Sequence, residues 1–289
     1  MSSLGKPRLL GAAFVSAFLL SQLAAQNPPA VPPVPPPPPS LLGFALTGST
    51  TLGSQYIFRG LTQTDGKPIV QTELDLVHPS GFYLSTSLSN ISWFTDQNLG
   101  TASAPVPVGS GSSAGVEVDV FGGYKLGFAK DWTLDLGIYR YLYPGSFDRL
   151  VVYKNPATTE ASLGLSYRWA SLKASRVLSG AAFGVASAGG TTYLDLSLAV
   201  PLGETGWTLL AHGGRTSFAS GSGADNSPLD YTDLRLGVAT ELKGCTLTLA
   251  ATYADTRDLA SDHQTPLYAN AMGRNIGKSR LTFTLAKNF

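Results

Sequence analysis

The stretch that decides the fold is the end of the chain, Arg280–Phe289, with the sequence RLTFTLAKNF. Chain ends are normally frayed and polar, but this one alternates apolar and polar residues up to a terminal aromatic. That period-2 pattern predicts a β-strand, with Leu281 and Phe283 on one face and Thr282 on the other. At the edge of a soluble sheet such a strand would promote aggregation. The rest of the chain must therefore supply a partner for it.

The same alternation recurs along the chain from Leu41 onward. Trp132–Tyr139 and Leu194–Val200, for example, place large apolar residues on one face and mostly small or polar residues on the other. We count about twelve such segments, each close to the roughly 9–11 residues with which a tilted strand spans a bilayer. Arg176 and Arg215 disturb the seventh and the ninth. The approximate bounds are 44–58, 68–78, 81–93, 114–127, 131–142, 158–169, 171–178, 191–200, 206–218, 229–241, 244–256 and 279–289.

The connections between these segments alternate between short and long. The short ones lie near 78–80, 128–130, 170, 202–205 and 242–243, and the long ones include 97–113, 219–228 and 257–277. An outer-membrane barrel has tight turns at one end, longer loops at the other and an even number of strands. We therefore predict an all-β fold: a transmembrane antiparallel up-and-down β-barrel of about 12 strands, with 10 or 14 strands as alternatives and a soluble barrel as the competing class. Closure would pair the last strand with the first and remove the exposed edge.

Composition agrees with an exported β protein. The chain has 32 glycines, 10% aromatic residues, 13% charged residues and a net charge of +1, which favours β structure and gives no basis for binding nucleic acid. Residues 1–25 have the basic, apolar and small-residue regions of a secretory signal peptide, and the apolar run is shorter than the roughly 20 residues of a membrane-spanning helix. The proline-rich segment 26–40 predicts a stiff periplasmic leader. The barrel then occupies 41–289.

A second pattern lies near the start of the barrel, in Gly53–Phe94. It reads Ser-x-Tyr-x-Phe-Arg-Gly-x-Thr-Gln, then a His-x-Ser-Gly-Phe-Tyr turn and a Ser-Asn pair. The residues that carry it are Ser54, Tyr56, Phe58, Arg59, Gly60, Thr62, Gln63, His78, Ser80, Gly81, Phe82, Tyr83, Ser89 and Asn90. This stretch resembles the N-terminal signature of the TorF-type porin family of Gram-negative outer-membrane proteins. The resemblance implies a barrel porin and does not indicate its solute; the proline-rich leader departs from the family pattern.

In physical terms the first motif is a strand end followed by a turn. We expect Tyr56 and Phe58 to face lipid near the outer rim, Arg59 to face the lumen, and Gly60 to break the strand. Arg59 then either clamps the first loop through carbonyl or carboxylate contacts or contacts solute directly. Aromatic residues near strand ends are typical of the girdles at membrane interfaces. Those expected there are Tyr56, Phe58, Phe82, Tyr124, Phe128, Trp132, Trp169, Trp207 and Tyr253.

The polar faces of the predicted strands carry the charged residues that we expect to line the lumen. The acidic ones are Glu73, Asp75, Glu117, Asp119 and Asp135. The basic ones are Arg59, Arg168, Lys173, Arg235 and Arg280. Opposed acidic and basic walls would create a transverse field that screens solutes. Alternatively, the charges pair across a narrow interior filled with side chains and leave little channel.

The sequence gives no indication of catalysis. A hydrolase needs a nucleophile, a base and an orienting group within reach of one another, and the surroundings of the three histidines, His78, His212 and His263, indicate no such set. No clustered histidine or cysteine ligands indicate a metal site. We therefore expect no cofactor, no metal and no enzymatic activity.

These observations together predict a porin-like channel in the bacterial outer membrane for passive diffusion of small hydrophilic solutes or ions. The alternative is a plugged barrel that acts as a structural or surface-interaction protein. The expected partners are outer-membrane lipid and the barrel assembly machinery, because Phe289 resembles the C-terminal aromatic signal of that machinery's clients. Homo-oligomerisation stays open, since no interface can be read from the lipid-facing residues.

Overall fold

The computed structural model describes residues 43–96, 112–147, 156–221, 223–258, 267–270 and 273–289. The predicted signal peptide and leader, and His263, lie outside these residues. Within the part of the chain that is described, no helix is long and apolar enough to cross a membrane. A short 3-10 helix, Ser227–Leu229, precedes one of the strands.

Most strands of the described residues belong to one closed barrel. Their bounds are β1 Ala45–Gly53, β4 Ile69–Val77, β5 Phe82–Asn90, β6 Val116–Ala129, β7 Trp132–Leu142, β8 Thr158–Tyr167, β9 Ala170–Val177, β10 Thr192–Pro201, β11 Trp207–Ser217, β12 Tyr231–Leu242, β13 Cys245–Ala254 and β14 Arg280–Asn288. Each strand pairs antiparallel with its neighbours in sequence, and β14 pairs with β1. A separate hairpin, β2 Ile57–Phe58 and β3 Leu61–Thr62, lies in the connection between β1 and β4. The prediction of a 12-stranded up-and-down barrel is confirmed.

Alternation along each strand determines which side chains face outward. On β12, Leu234 and Leu236 are 53% and 60% exposed, whereas Asp233 and Arg235 are 2% and 5% exposed. Apolar side chains therefore cover the outside of the barrel, and polar ones fill the inside. A barrel surrounded by lipid requires this arrangement.

The end of the chain closes the barrel. The N–H of Gly48 donates to the carbonyl of Phe289, and the N–H of Phe289 donates to the carbonyl of Gly48, both at 3.0 Å. The ring of Phe289 lies so close to Gly48 that a Cβ there would be 2.7 Å from it. The terminal strand is thus paired to its last residue, and the edge that its sequence would expose is absent.

The connections fall into two groups at opposite ends of the barrel. The short turns are 78–81, 130–131, 168–169, 202–206 and 243–244. The long connections are 54–68, 91–115, 143–157, 178–191, 218–230 and 255–279. Because successive strands run in opposite directions, all short turns share one end, the short-turn end, and all long connections share the other, the long-loop end. The predicted alternation of short and long connections is confirmed.

Exposed aromatic side chains ring the short-turn end. They include Phe82, Phe128, Trp169 and Trp207, which are 45–58% exposed. Phe82 packs against Tyr124 with ring centroids 4.9 Å apart. Amphipathic rings at this level are typical of a membrane interface.

The first predicted strand, 44–58, is too long. β1 ends at Gly53, and the chain then turns into the barrel interior. Tyr56 is 6% exposed, and the ring of Phe58 packs edge-on against Tyr141 at 5.7 Å. The prediction that Tyr56 and Phe58 face lipid is therefore wrong. Alternation alone cannot distinguish an aromatic that faces lipid from one that faces an aromatic interior.

The two strands with disturbed patterns, β9 and β11, both form. Arg176 and Arg215 point outward near the long-loop end of these strands, where a long side chain can carry its charge to the interface. Arg215 pairs with Asp230 at 3.3 Å. The arginines are therefore compatible with a lipid-facing wall.

Candidate functional site

The barrel interior is the candidate site because buried ionisable side chains are concentrated there. Removing charges from water is costly, and within membrane-spanning elements such groups usually mark functional positions. The buried acidic residues are Glu73, Asp75, Glu117, Asp119, Glu160, Asp195 and Asp233. Buried basic side chains in the interior include Lys125 and Arg235.

One side of the interior forms an acidic wall, which we define as Glu73, Asp75, Glu117 and Asp119. Serines of β5 separate its two strands, since Ser87 lies opposite Glu73 on β4 and Asp119 on β6. The hydroxyl of Ser85 donates to Asp75 Oδ1 at 2.5 Å, and that of Ser87 donates to Asp119 Oδ2 at 3.1 Å. Hydroxyl groups are therefore prominent among the hydrogen-bond donors to this wall.

Two further charged residues extend the acidic side towards the short-turn end. Asp135 on β7 accepts a hydrogen bond of 3.0 Å from the hydroxyl of Tyr83. Lys125 on β6 lies above the ring of Tyr83, with Nζ 5.0 Å from its centroid. The structure thus places all five predicted acidic residues in the interior, and it adds a cation among them.

The connection 54–68, which we call the inner loop, lies inside the barrel. Its Tyr56 hydroxyl donates to Glu117 Oε1 on β6 at 2.7 Å. The N–H of Thr62 donates to the carbonyl of Ile276, in the connection before β14, at 3.0 Å. The loop therefore contacts opposite parts of the wall and crosses the lumen.

Arg59 holds the inner loop in place through a bidentate ion pair. Its two terminal nitrogens donate to Glu160 Oε1 at 3.0 Å and to Glu160 Oε2 at 2.7 Å. The guanidinium carbon also lies 4.3 Å from the ring centroid of Tyr193 and 5.5 Å from that of Phe183. Burial lowers the pKa of Arg59, but the charge and hydrogen bonds of Glu160, together with the nearby Tyr141 and Tyr193, outweigh it and raise the pKa above its ordinary value. Of the two interpretations of Arg59, the structure shows the carboxylate clamp.

Gly60 allows the inner loop to touch the far wall. Its φ is +77°, a left-handed conformation that favours glycine. A Cβ at this position would lie 2.5 Å from Cβ of Asp233 on β12 and 2.9 Å from Cβ of Ala254 on β13. Both the backbone conformation and the close approach therefore require glycine.

A hydrogen-bonded network surrounds His212 on β11. Its Nε2 lies 2.8 Å from Asp233 Oδ1, and its Nδ1 lies 3.4 Å from Asp195 Oδ2 and 3.1 Å from Ser197 Oγ. The hydroxyl of Ser197 also donates to Asp195 Oδ1 at 2.7 Å. The residues next to His212 in sequence do not indicate this serine, because the antiparallel register brings in Ser197 from β10, directly opposite His212.

This serine–histidine–aspartate set does not have the geometry of a hydrolase site. An imidazole between two carboxylates is best satisfied as a donor at both nitrogens, and in that form it cannot accept the proton of Ser197. The adjoining cavity has a volume of about 30 Å³, enough for roughly two water molecules. An ester substrate would not fit there.

That cavity lies between the inner loop and the strands of the barrel. It is lined by Arg59 and Gly60 of the loop and, from the wall, by Lys173, Asp195 and Arg235, among others. Its size shows that, in this arrangement, the inner loop leaves little free space at this point of the lumen.

The predicted basic residues occupy three different places. Lys173 and Arg235 face the interior, and Lys173 Nζ lies 4.3 Å from the ring centroid of Tyr139. Arg280 lies at the long-loop end, where one of its terminal nitrogens is 3.7 Å from Asp65 of the inner loop. The prediction of a single basic wall opposite the acidic one does not describe this arrangement, because Glu160, Asp195 and Asp233 lie among the basic residues.

Arg168 is not in the lumen. It occupies the turn between β8 and β9 with a φ of +50°, its side chain is 53% exposed, and it pairs with Asp131 of the neighbouring turn at 2.9 Å. Extrapolating the alternation of β8 by one residue placed it inside. The strand ends at Tyr167, and the positive φ turns the side chain outward.

Four interior charges were not among the predicted site residues: Lys125, Glu160, Asp195 and Asp233. Each lies an even number of residues from an inward-facing residue of its own strand. Lys125, for example, follows Glu117 and Asp119 on β6 by even steps. Extending the alternation to the full length of every strand would have identified all four. Among the described residues, no group of three or more histidine, cysteine, aspartate or glutamate side chains could hold a metal ion.

A family model, described as "Bacterial protein of unknown function (Gcw_chp)", matches residues 40–289. The chain belongs to the Gcw_chp family. The match covers the whole barrel and begins at the end of the proline-rich segment. It does not single out the TorF-type porins. No curated protein matches the chain.

Several solved structures are similar to the barrel. One titled "KdgM porin" is 7% identical, with a TM-score of 0.46 over 84% of this chain and 98% of that one. A NanC porin is 11% identical, with a TM-score of 0.45 over 84% and 98%. OccD3 (OpdP) of Pseudomonas aeruginosa is 11% identical, with a TM-score of 0.41 over 86% and 65%.

Proposed function

We propose that this protein is a narrow outer-membrane channel for ions or small hydrophilic solutes, in which the inner loop constricts the lumen. The observation that carries the proposal is the separation of the two faces of a closed 12-stranded barrel: apolar residues outside and ionisable residues inside. Charged side chains that line a lumen tune ion selectivity in barrels of this kind. Within the interior described here, acidic residues outnumber basic ones, which favours cations.

Three further features support an outer-membrane location. Exposed aromatic rings follow the short-turn end, as at a membrane interface. Phe289 completes the pairing of β14 with β1, so the barrel leaves no strand edge exposed to lipid. The resemblance of Gly53–Phe94 to TorF-type porins supports the same assignment. The geometry around His212 favours a channel over an enzyme.

The experiment is single-channel recording of the refolded protein in a planar bilayer under a salt gradient. We expect brief discrete openings from the wild-type protein and larger, longer ones when residues 55–66 are replaced by a short glycine linker. The reversal potential should have the sign of a cation-preferring pore. Heat-dependent gel mobility verifies that both proteins are folded barrels.

A plugged barrel with a structural or surface-interaction role is the second candidate. The bidentate clamp of Arg59 and the cavity of about 30 Å³ favour it. Folded protein that stays silent both with and without the inner loop would establish this candidate and contradict the channel.

A further inference from the structure

The inner loop places a flat cation, the guanidinium of Arg59, in a site whose walls come from elsewhere in the chain. Glu160 on β8 presents both carboxylate oxygens to it, at 3.0 and 2.7 Å. The rings of Tyr193 on β10 and Phe183 in the connection 178–191 lie 4.3 and 5.5 Å from the guanidinium carbon. We call Glu160, Phe183 and Tyr193 the guanidinium cage.

The chemistry of the cage is selective for this group. A carboxylate can accept two parallel N–H bonds from a guanidinium, and aromatic faces attract its delocalised charge. A primary ammonium is a compact, strongly hydrated point charge that cannot make the paired contact. An anion would meet the carboxylate of Glu160. The site therefore recognises guanidinium better than either alternative.

The cage is braced by residues outside the inner loop. The hydroxyl of Tyr141 donates to Glu160 Oε2 at 3.3 Å, and the ring of Tyr141 packs edge-on against Phe183 with centroids 5.1 Å apart. Thr158 accepts a hydrogen bond of 2.8 Å from the N–H of Phe183. These contacts do not depend on Arg59, so the walls can persist when its side chain is removed.

We propose that the cage is a binding site for small solutes that carry a guanidinium group, and that Arg59 occupies it as an internal ligand. The inner loop then keeps the openings of the channel brief, and a solute that displaces Arg59 lengthens them. This regulatory role rests on the proposed channel function, but binding to the cage can be measured without any current.

The test uses the mature chain with Arg59→Ala, which empties the cage. The probe is methylguanidinium, and the matched control is ethylammonium, a cation of equal charge and similar size. The control variant, Arg59→Ala with Glu160→Gln, removes the charge of the carboxylate. The readouts are block of single-channel current and the thermal unfolding midpoint, after heat-dependent gel mobility has shown that each variant folds.

We expect methylguanidinium to block the Arg59→Ala channel at about one tenth of the ethylammonium concentration, because losing one charge-assisted hydrogen bond weakens binding by about tenfold. It should also raise the unfolding midpoint of Arg59→Ala. Both effects should disappear in the control variant. If that variant does not fold, Arg59→Ala with Tyr193→Leu replaces it, and the block should weaken several-fold.

If the two cations blocked the current equally, or if the block survived Glu160→Gln, the proposed guanidinium site would be contradicted. If no variant conducts, the channel proposal fails, and the unfolding midpoint decides about the cage alone. A selective rise with methylguanidinium would then support the cage, and the lack of any rise would overturn it.

Discussion

The acidic wall and the guanidinium cage are two sites of buried carboxylates in one lumen, and they are stabilised differently. In the wall, serine hydroxyls on the strand between donate to Asp75 and Asp119. In the cage, Glu160 receives a full positive charge from the inner loop. A carboxylate that is hydrogen-bonded to hydroxyl groups can be replaced by a neutral amide without leaving an opposite charge buried and unpaired. Removing either member of a buried ion pair destabilises the protein, because the other charge stays buried without a partner.

The largest effect is expected from breaking the cage pair. Arg59→Met should lower the free energy of unfolding by about 3–5 kcal/mol, because it leaves Glu160 buried and unpaired. Urea titration of the refolded barrel measures the change. The matched control is Arg168→Met, which removes an exposed ion pair and should leave the midpoint unchanged. Equal effects at the two positions would contradict the clamp.

The second-largest loss of stability is expected from Gly60→Ala. Gly66→Ala, in the same loop, is its control. Both glycines have left-handed backbones, with φ of +77° and +83°, and that strain is about 1–2 kcal/mol for alanine. Only at Gly60 does the added Cβ also collide with the wall, 2.5 Å from Asp233, which adds roughly 1–3 kcal/mol. The same urea titration compares them. If Gly66→Ala were the more harmful change, the inner loop would not lie against β12.

His212→Ala should destabilise the barrel by about 1–3 kcal/mol, because it removes the imidazole that Asp195 and Asp233 share and leaves them to the hydroxyl donors Ser197 and Tyr193. The control is His78→Ala in a short turn, where the imidazole hydrogen-bonds to Ser80 and lies 5.0 Å from the ring of Phe44. Surface changes usually stay within about 0.5 kcal/mol. Neither variant should alter the rate of ester hydrolysis from the background. If the wild-type protein hydrolysed esters and only His212→Ala lost that activity, the result would indicate an enzyme.

The smallest effect on stability is expected at the acidic wall. Glu117→Gln together with Asp119→Asn keeps oxygen acceptors for Tyr56 and Ser87 and removes negative charge from the lumen. Stability should change little, and the reversal potential should shift towards anions. An unchanged reversal potential would show that ions do not pass along this wall.

Period-2 alternation was sufficient to predict the barrel. It placed all twelve strands, the two classes of connection and the pairing of the chain end, because lipid outside and polar groups inside impose that period on every strand. Its errors lie where strands end. Tyr56 and Arg168 continue the alternation of β1 and β8 in sequence, but the chain has already left the sheet at both positions.

The candidate site was only partly predictable for a related reason. The alternation of a strand shows which of its residues face inward, one strand at a time. It identified Glu73, Glu117 and Arg235 in this way. It cannot show which of them meet across strands, since that depends on register and on the path of the inner loop. Arg59 therefore appeared as a lumen residue with two interpretations, and its partner Glu160 was missed.

The most direct test of the account traps the inner loop against the wall. In a Cys245→Ala background, Gly60→Cys and Ala254→Cys place two thiols side by side, since a Cβ at residue 60 would lie 2.9 Å from Cβ of residue 254. That separation is shorter than the roughly 3.5–4.5 Å of a disulfide. A shift of the inner loop by about 1 Å reaches the disulfide distance and relieves the contact of residue 60 with Asp233. Single-channel current is recorded before and after reduction. We expect the disulfide to form, the current to be lower while it is intact, and reduction to restore the openings. A folded barrel in which the thiols stay free, or in which a proven disulfide leaves the current unchanged, would contradict this expectation.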